Sequence, residues 1–238
     1  MTIILYYARQ YKWLPNFNFN LTSVSEMIRF GAHRIVSSLL HQMYSRADQI
    51  TIGALLGPSA LGIYSVAYNL SMQPFLRINP ILTQISFPVF SRISFDSNRI
   101  LRAYRKGLRV LIFINAPLLL GMLATASLIV PIVLGAGWDE SVLILQILCI
   151  YGLLRSSGNI NTGLILAFEK YQWPTYWNLF LLFFTPLVIF VAYQIKDSLI
   201  MLTVAVLFIE FLLAIVSYFL FSRRLLGGFG IGLSLIHI

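Results

Sequence analysis

Charged residues are scarce in this sequence, and acidic residues are the scarcest. Asp and Glu number 8 against 17 Lys and Arg, and all charged residues make up 11% of the 238 residues. The carboxylates are dispersed and no Gly-rich phosphate loop is present, so an enzyme, a cofactor and a metal site are not expected. The single cysteine, Cys149, excludes an intrachain disulfide, and its apolar surroundings predict a small core residue.

Apolar residues, in contrast, are abundant. They make up 58% of the chain, and the mean hydropathy is +0.82. A helix needs about 20 apolar residues to cross the hydrocarbon core of a bilayer. Six segments of that kind lie near 28–54, 60–90, 108–134, 141–167, 174–194 and 198–221. The sequence therefore predicts an all-α membrane protein with about six transmembrane helices in one bundle.

The basic residues, which give a net charge of +9, follow the predicted topology and do not indicate a nucleic-acid-binding module. They flank alternate ends of the predicted spans, and the opposite loops contain only Lys196. The positive-inside rule therefore places both ends of the chain in the cytoplasm. Basic and apolar residues alternate from Arg92 to Arg109, which predicts either an interfacial helix on the cytoplasmic leaflet or an ordinary positive-inside loop.

Polar residues form stripes inside the predicted spans. Arg34, His41 and Asp48 are spaced by seven residues, which puts them on one face of a helix. In the second span the polar face consists of Asn69, Gln73, Arg77 and Gln84. The same span contains Pro74, Pro80 and Pro88, which are expected to bend or interrupt the helix. Ionisable groups at membrane depth are costly and by default indicate a functional site.

Three stretches of the sequence are distinctive: ADQITIGALLGPSALGIYSVAYNL from Ala47, FPVFSRI from Phe87 and LQILCIYGLLRSSGNINTGLILAFEK from Leu145. Together they resemble the Wzx-type polysaccharide exporters of the multidrug/oligosaccharidyl-lipid/polysaccharide flippase superfamily, with most similarity to the colanic-acid exporter (WzxC-like) subgroup. Family members have two helical bundles around a central cavity, and the region of resemblance is the second bundle.

The resemblance implies that this chain is a partial sequence. We expect residues 1–25 to form the end of a preceding helix and a cytoplasmic linker, residues 26–225 the six-span bundle, and residues 226–238 a tail. The last six residues, 233–238, match the translation of a sequencing-adapter sequence and are interpreted as an artefact, the alternative being a genuine tail.

The resemblance also implies translocation of an undecaprenyl-diphosphate-linked oligosaccharide across the bacterial inner membrane by alternating access. Arg34, Arg77 and Arg155 are the candidates for binding the diphosphate, since guanidinium groups match phosphate oxygens.

Sugar hydroxyls need polar partners in a wet cavity. The candidates for that role are His41, Gln42, Gln49, Asn69, Gln73 and Asn159. Asp48 and Glu210, and also His41, are candidates for coupling transport to an ion gradient. The expected partners are the lipid-linked oligosaccharide, membrane lipids and the missing N-terminal bundle.

Several alternatives remain open from the sequence. Asp48 could instead neutralise Arg46 or another arginine of the bundle, and Glu210 could neutralise Arg155. Arg46 lies near the outer interface, where its side chain is expected to snorkel. A multidrug antiporter of the same superfamily is the competing function, although its organic-cation cavity should favour acidic and aromatic groups over arginines. A membrane enzyme acting on lipid-linked sugars is a less favoured alternative.

Overall fold

The computed structural model describes residues 21–92, 97–167 and 172–226, and every regular element in these ranges is an α-helix. The helices are α1 (Leu21–Tyr44), α2 (Ala47–Arg92), α3 (Ser97–Ala124), α4 (Ala126–Leu134), α5 (Glu140–Ala167), α6 (Gln172–Ile195) and α7 (Leu199–Leu226). The chain divides into two compact units, residues 1–39 and 40–238. The all-α fold is confirmed, whereas the predicted linker before residue 21 and the tail after residue 226 lie outside the described residues.

Helix α2 reverses direction at Gly57 and is therefore a helical hairpin. Gly57 has φ 84° and ψ −179°, a backbone conformation that favours glycine because it has no Cβ. Asp48 and Tyr64 would lie about 24 Å apart along a straight helix, yet their side chains are hydrogen-bonded at 2.7 Å. The break at Gly57 thus brings the two arms of α2 side by side.

Helix α5 lies at the centre of the bundle. It packs against α2, α3, α4 and α7, and α6 packs against α2 and α7. The core between these helices is apolar and includes Ile52, Met72, Leu145, Leu148, Cys149, Ile189 and Leu202. Cys149 is buried, as predicted. At Gly152 an added Cβ would lie 2.9 Å from Met72 Cε and 3.5 Å from Leu119 Cδ1, so this glycine allows α5 to approach its neighbours closely.

Four helical segments in the described residues are long and apolar enough to cross a bilayer: Ala47–Ile81, Arg102–Ala124, Tyr176–Ile195 and Leu199–Val216. The chain is a multi-pass membrane protein, but the predicted count of six spans is wrong for these residues. The first predicted span, 28–54, is not one helix, because the chain turns at Ser45 and Arg46 between α1 and α2. The predicted span 141–167 coincides with α5, which is not among the four.

Two further details of the helices differ from expectation. The second arm of α2 keeps helical backbone angles through Pro74, Pro80 and Pro88, so these prolines do not interrupt it. Each proline removes one hydrogen bond, and the remaining bonds and packing are sufficient to maintain the helix. Within the described part of 92–109, residues 97–109 are the first turns of α3 and not a separate interfacial helix. The helix simply continues into the membrane-crossing segment.

Candidate functional site

Asp48 and Tyr64 form a buried polar contact between the two arms of α2. The Tyr64 hydroxyl donates a hydrogen bond to Asp48 Oδ2 at 2.7 Å. Tyr64 is fully buried and Asp48 is 6% exposed. A buried carboxylate without a hydrogen-bond donor would strongly destabilise the fold, so the bond from Tyr64 offsets part of the cost of burying Asp48. Arg46, considered above as its partner, is exposed.

A row of tyrosines connects this contact to Arg155 on α5. The rings of Tyr64 and Tyr68 are stacked with centroids 6.0 Å apart, and Tyr68 lies 6.1 Å from the ring of Tyr151. Arg155 Nη1 donates a hydrogen bond to the Tyr151 hydroxyl, and its Cζ lies 5.5 Å from the centre of that ring. The arginine is therefore held by aromatic and polar groups.

Glu210 on α7 is the carboxylate partner of Arg155. Their Nη1 and Oε2 atoms lie 3.8 Å apart, and the side chains are only 18% and 14% exposed. This agrees with the alternative that Glu210 neutralises Arg155. At this depth the attraction is less screened than at a surface, and removal of either partner leaves a charge that is costly to bury.

Asp48, Arg155 and Glu210 line a small recess. Its lining consists of Tyr44, Ser45, Asp48, Tyr151, Arg155, Thr185, Val206, Ile209 and Glu210. Within the described residues, this lining contains two carboxylates and one guanidinium. Thr185 is 6% exposed, and its Oγ1 has no hydrogen-bond partner among the described residues. The recess therefore combines an excess of carboxylate with hydroxyl oxygens, which suits uptake of a proton or a cation.

A second feature lies on the outer surface of the α2 hairpin. Asn69, Gln73, Arg77 and Gln84, named here the polar stripe, are all exposed. The opposite face of the same arm is buried through Ala67, Ser71 and Met72. Water is not available to polar groups in contact with acyl chains, so an exposed polar stripe on a membrane-crossing helix is expected to face a cavity or another protein element.

The remaining predicted site residues belong neither to the recess nor to the polar stripe, or have side chains outside the described part of the chain. His41 and Gln42 are exposed in the last turn of α1, and Gln49 is half-buried. Arg34 and Asn159 lie on helices α1 and α5, but their side chains are outside the described part of the chain. The structure thus brings Asp48, Arg155 and Glu210 together around the recess, while Asn69, Gln73 and Arg77 share the polar stripe.

Sequence reasoning missed the tyrosines and Thr185. Tyr64 and Tyr68, like Tyr151 and Arg155, are four residues apart, which places each pair on one helical face. That spacing was the available signal. It did not identify the partners across helices, because these depend on the turn at Gly57 and on the packing of α5 against α2.

Comparison with known proteins supplies independent findings. A family model described as "Polysaccharide biosynthesis protein" matches residues 1–143. The lipopolysaccharide biosynthesis protein WzxC of Escherichia coli is 31% identical over 95% of this chain and 46% of its own length. The teichuronic acid biosynthesis protein TuaB of Bacillus subtilis is 34% identical over 80% of this chain and 40% of its own length.

The succinoglycan biosynthesis transport protein ExoT of Rhizobium meliloti is a more distant relative. It is 24% identical over 53% of this chain and 26% of its own length. The chain spans about half the length of WzxC, and it matches less than half the length of TuaB and of ExoT. No solved structure matches it significantly.

Proposed function

This chain belongs to the family of polysaccharide biosynthesis proteins, and we propose on that basis that it is part of a flippase for surface-polysaccharide synthesis. The cargo in this proposal is an undecaprenyl-diphosphate-linked oligosaccharide, which moves from the cytoplasmic to the outer leaflet of the bacterial inner membrane. The chain forms the second of two bundles, with both of its ends in the cytoplasm, and a preceding N-terminal bundle supplies the opposite wall of the cavity.

The polar stripe on α2 is the observation that carries this proposal. Asn69, Gln73 and Arg77 recur every four residues on an exposed face of a helix that is otherwise suited to lipid. Exposure of such a face to acyl chains would be costly, whereas the wall of a water-filled cavity would tolerate it. Amide side chains offer both donors and acceptors to sugar hydroxyls.

Arg77 gives the stripe the charge that a diphosphate requires. A guanidinium group presents several donors in a plane and can bind two phosphate oxygens at once. Arg34 remains a proposed second arginine of the cavity. Arg155 is held by Glu210 and Tyr151 beside the recess, so its proposed contribution is to the electrostatics of that recess and, when the recess opens, to the cargo.

We assign ion coupling to the recess. The described lining of the recess contains two carboxylates, Asp48 and Glu210, and only one guanidinium, that of Arg155. Protonation of a carboxylate or binding of a cation would therefore relieve the excess negative charge. The three relevant elements are the α2 hairpin, α5 and α7. A change of charge at Asp48 would alter its hydrogen bond with Tyr64, which joins the two arms of the hairpin. Because the second arm carries the polar stripe, a change in this bond would shift the position of the stripe relative to the first arm.

The competing function, an organic-cation antiporter, would require acidic and aromatic groups that are open to the cavity. Asp48 and Tyr64 are instead buried and bonded to each other, and the exposed ionisable group of the polar stripe is the cation Arg77. TuaB is named for teichuronic acid biosynthesis, and ExoT for succinoglycan biosynthesis transport.

Arg77→Ala in the intact protein tests the proposal. In cells without their own exporter, this variant is expected to lower surface polysaccharide by about tenfold or more, because a charge-assisted contact is lost. Its abundance in the membrane should stay at the wild-type level, since Arg77 is exposed. Arg77→Lys should retain part of the export, and Lys196→Ala, an exposed basic control, should retain all of it. Normal export by Arg77→Ala would contradict the proposal.

A further inference from the structure

The first turns of α3 carry a row of cations that has no part in the proposed translocation. This basic face consists of Arg99, Arg102, Arg105, Lys106 and Arg109, all of which are exposed. At about 100° per residue, the five side chains fall within about 120° of the helix circumference. The opposite side holds the half-buried Tyr104 and Leu108 and the buried Leu111. The helix therefore packs on the bundle with one side and presents its cations on the other.

The same side of α3 becomes apolar after Arg109. Phe113 is 80% exposed and Leu120 is 50% exposed, and both continue the line of the basic face along the helix. The 28 residues of α3 extend over about 42 Å, whereas the hydrocarbon core is about 30 Å thick. About 12 Å of the helix, or its first eight residues, exceeds the core, and from the next turns the long side chains of Arg105, Lys106 and Arg109 extend toward the level of the lipid headgroups.

We propose that the basic face of α3 binds the headgroups of anionic phospholipids of the cytoplasmic leaflet, while Phe113 and Leu120 contact their acyl chains. The succession of cations and then apolar side chains along one face matches the succession of phosphate and acyl chain in a lipid. From Ser97 to Ala124 the helix has no Asp or Glu that would compete for these cations. Each Lys or Arg near an anionic surface adds to the attraction, and Arg102, Arg105, Lys106 and Arg109 act together on one face.

The test compares lipids that differ in charge only. The intact protein is purified in detergent, and its bound lipids are counted by native mass spectrometry with phosphatidylglycerol or with phosphatidylcholine of the same chains. We expect the wild-type protein to retain phosphatidylglycerol preferentially. Substitution of four cations, Arg102→Gln, Arg105→Gln, Lys106→Gln and Arg109→Gln, should lower that affinity about tenfold or more.

Two control variants make the result specific. Lys196→Gln removes an exposed cation elsewhere and should leave the preference for phosphatidylglycerol unchanged. The charge-preserving variant Arg102→Lys, Arg105→Lys, Arg109→Lys should retain most of that preference. If the fourfold variant does not insert into the membrane, Arg105→Gln with Lys106→Gln should still give a loss of about threefold. Equal retention by the Gln variants, no preference in the wild-type protein, or displacement of the lipid by inorganic phosphate at equal concentration would each overturn the proposal.

Discussion

The hydroxyl group of Tyr64 reaches Oδ2 of Asp48 at 2.7 Å across 16 residues of sequence, and this hydrogen bond joins the two arms of the α2 hairpin. Gly57 makes the contact possible, because its positive φ reverses the chain between them. The contact has two consequences. It stabilises the hairpin, and it couples the charge of a buried carboxylate to the helix that carries the polar stripe.

The first prediction concerns the energy of this contact. Tyr64→Phe leaves the buried Asp48 carboxylate without its donor and is expected to lower the free energy of unfolding by about 1–3 kcal/mol. Asp48→Asn should cost less, because an amide oxygen still accepts the hydrogen bond. A double-mutant cycle of Tyr64→Phe with Asp48→Ala, which removes the acceptor, should give a coupling energy of about 1 kcal/mol or more when measured by denaturation in mixed detergent. Additive effects of the two substitutions would contradict a direct contact.

The second prediction concerns the pair Arg155 and Glu210. Glu210→Leu leaves the largely buried guanidinium without its carboxylate partner and should destabilise the protein by about 3 kcal/mol. Arg155→Met combined with Glu210→Leu should be more stable than Glu210→Leu alone, because an apolar pair carries no uncompensated charge. The two melting temperatures check this. A double variant that is less stable than the Glu210→Leu single variant would show that the pair does not act as a unit.

The third prediction concerns coupling. Asp48→Asn removes a carboxylate that can change its charge, so transport by the intact protein should lose part of its dependence on pH or on sodium. The measurement is flipping of a fluorescent lipid-linked oligosaccharide in proteoliposomes across a range of pH and sodium concentrations. Tyr64→Phe is the matched variant, since it disturbs the same contact and retains the carboxylate. An unchanged ion dependence in Asp48→Asn, with only lower abundance, would assign Asp48 a structural role.

The fourth prediction concerns helix packing. Gly152→Val should lower stability by about 1–3 kcal/mol, because the added carbons overlap Met72 and Leu119 and overpacking forces both to shift. Gly152→Ala should cost less, since the nearest atom is the flexible end of Met72. Gly121→Ala is the control, as no heavy atom lies within 4 Å of its added Cβ, and it should be neutral or slightly stabilising. Equal melting temperatures for all three variants would contradict the close approach of α5.

Much of the fold follows from local properties of the sequence. Apolar length predicted the membrane-crossing helices, and the spacing of Asn69, Gln73 and Arg77 predicted a shared helical face, on which the structure leaves all three side chains exposed. Local patterns could not reveal the turn at Ser45 and Arg46. They also overestimated the effect of the prolines, because tertiary packing maintains a helix that proline alone disfavours.

The candidate site could be predicted only in part. Asp48, Arg155 and Glu210 were identified individually, since an ionisable side chain at membrane depth is conspicuous in a sequence. Their convergence on one recess depends on contacts between α2, α5 and α7, which no periodicity encodes. Tyr64 and Thr185 were missed for the same reason: such residues are common in apolar helices, and only the three-dimensional structure places their hydroxyl groups next to Asp48 or in the recess.

The fifth prediction tests most directly the central claim that the polar stripe faces a water-filled cavity. Cys149 is the only cysteine of this chain and is buried, so its replacement by serine, together with any cysteine elsewhere in the intact protein, provides a background for single-cysteine variants. In the intact protein in its membrane, Gln73→Cys should react with a water-soluble maleimide, whereas Phe183→Cys, which is 69% exposed on an apolar surface, should react far more slowly. Lipid-linked oligosaccharide should slow the labelling of Gln73→Cys. Equal protection of both positions from the reagent, with labelling restored only after solubilisation, would place the polar stripe against lipid or protein and contradict the proposed cavity.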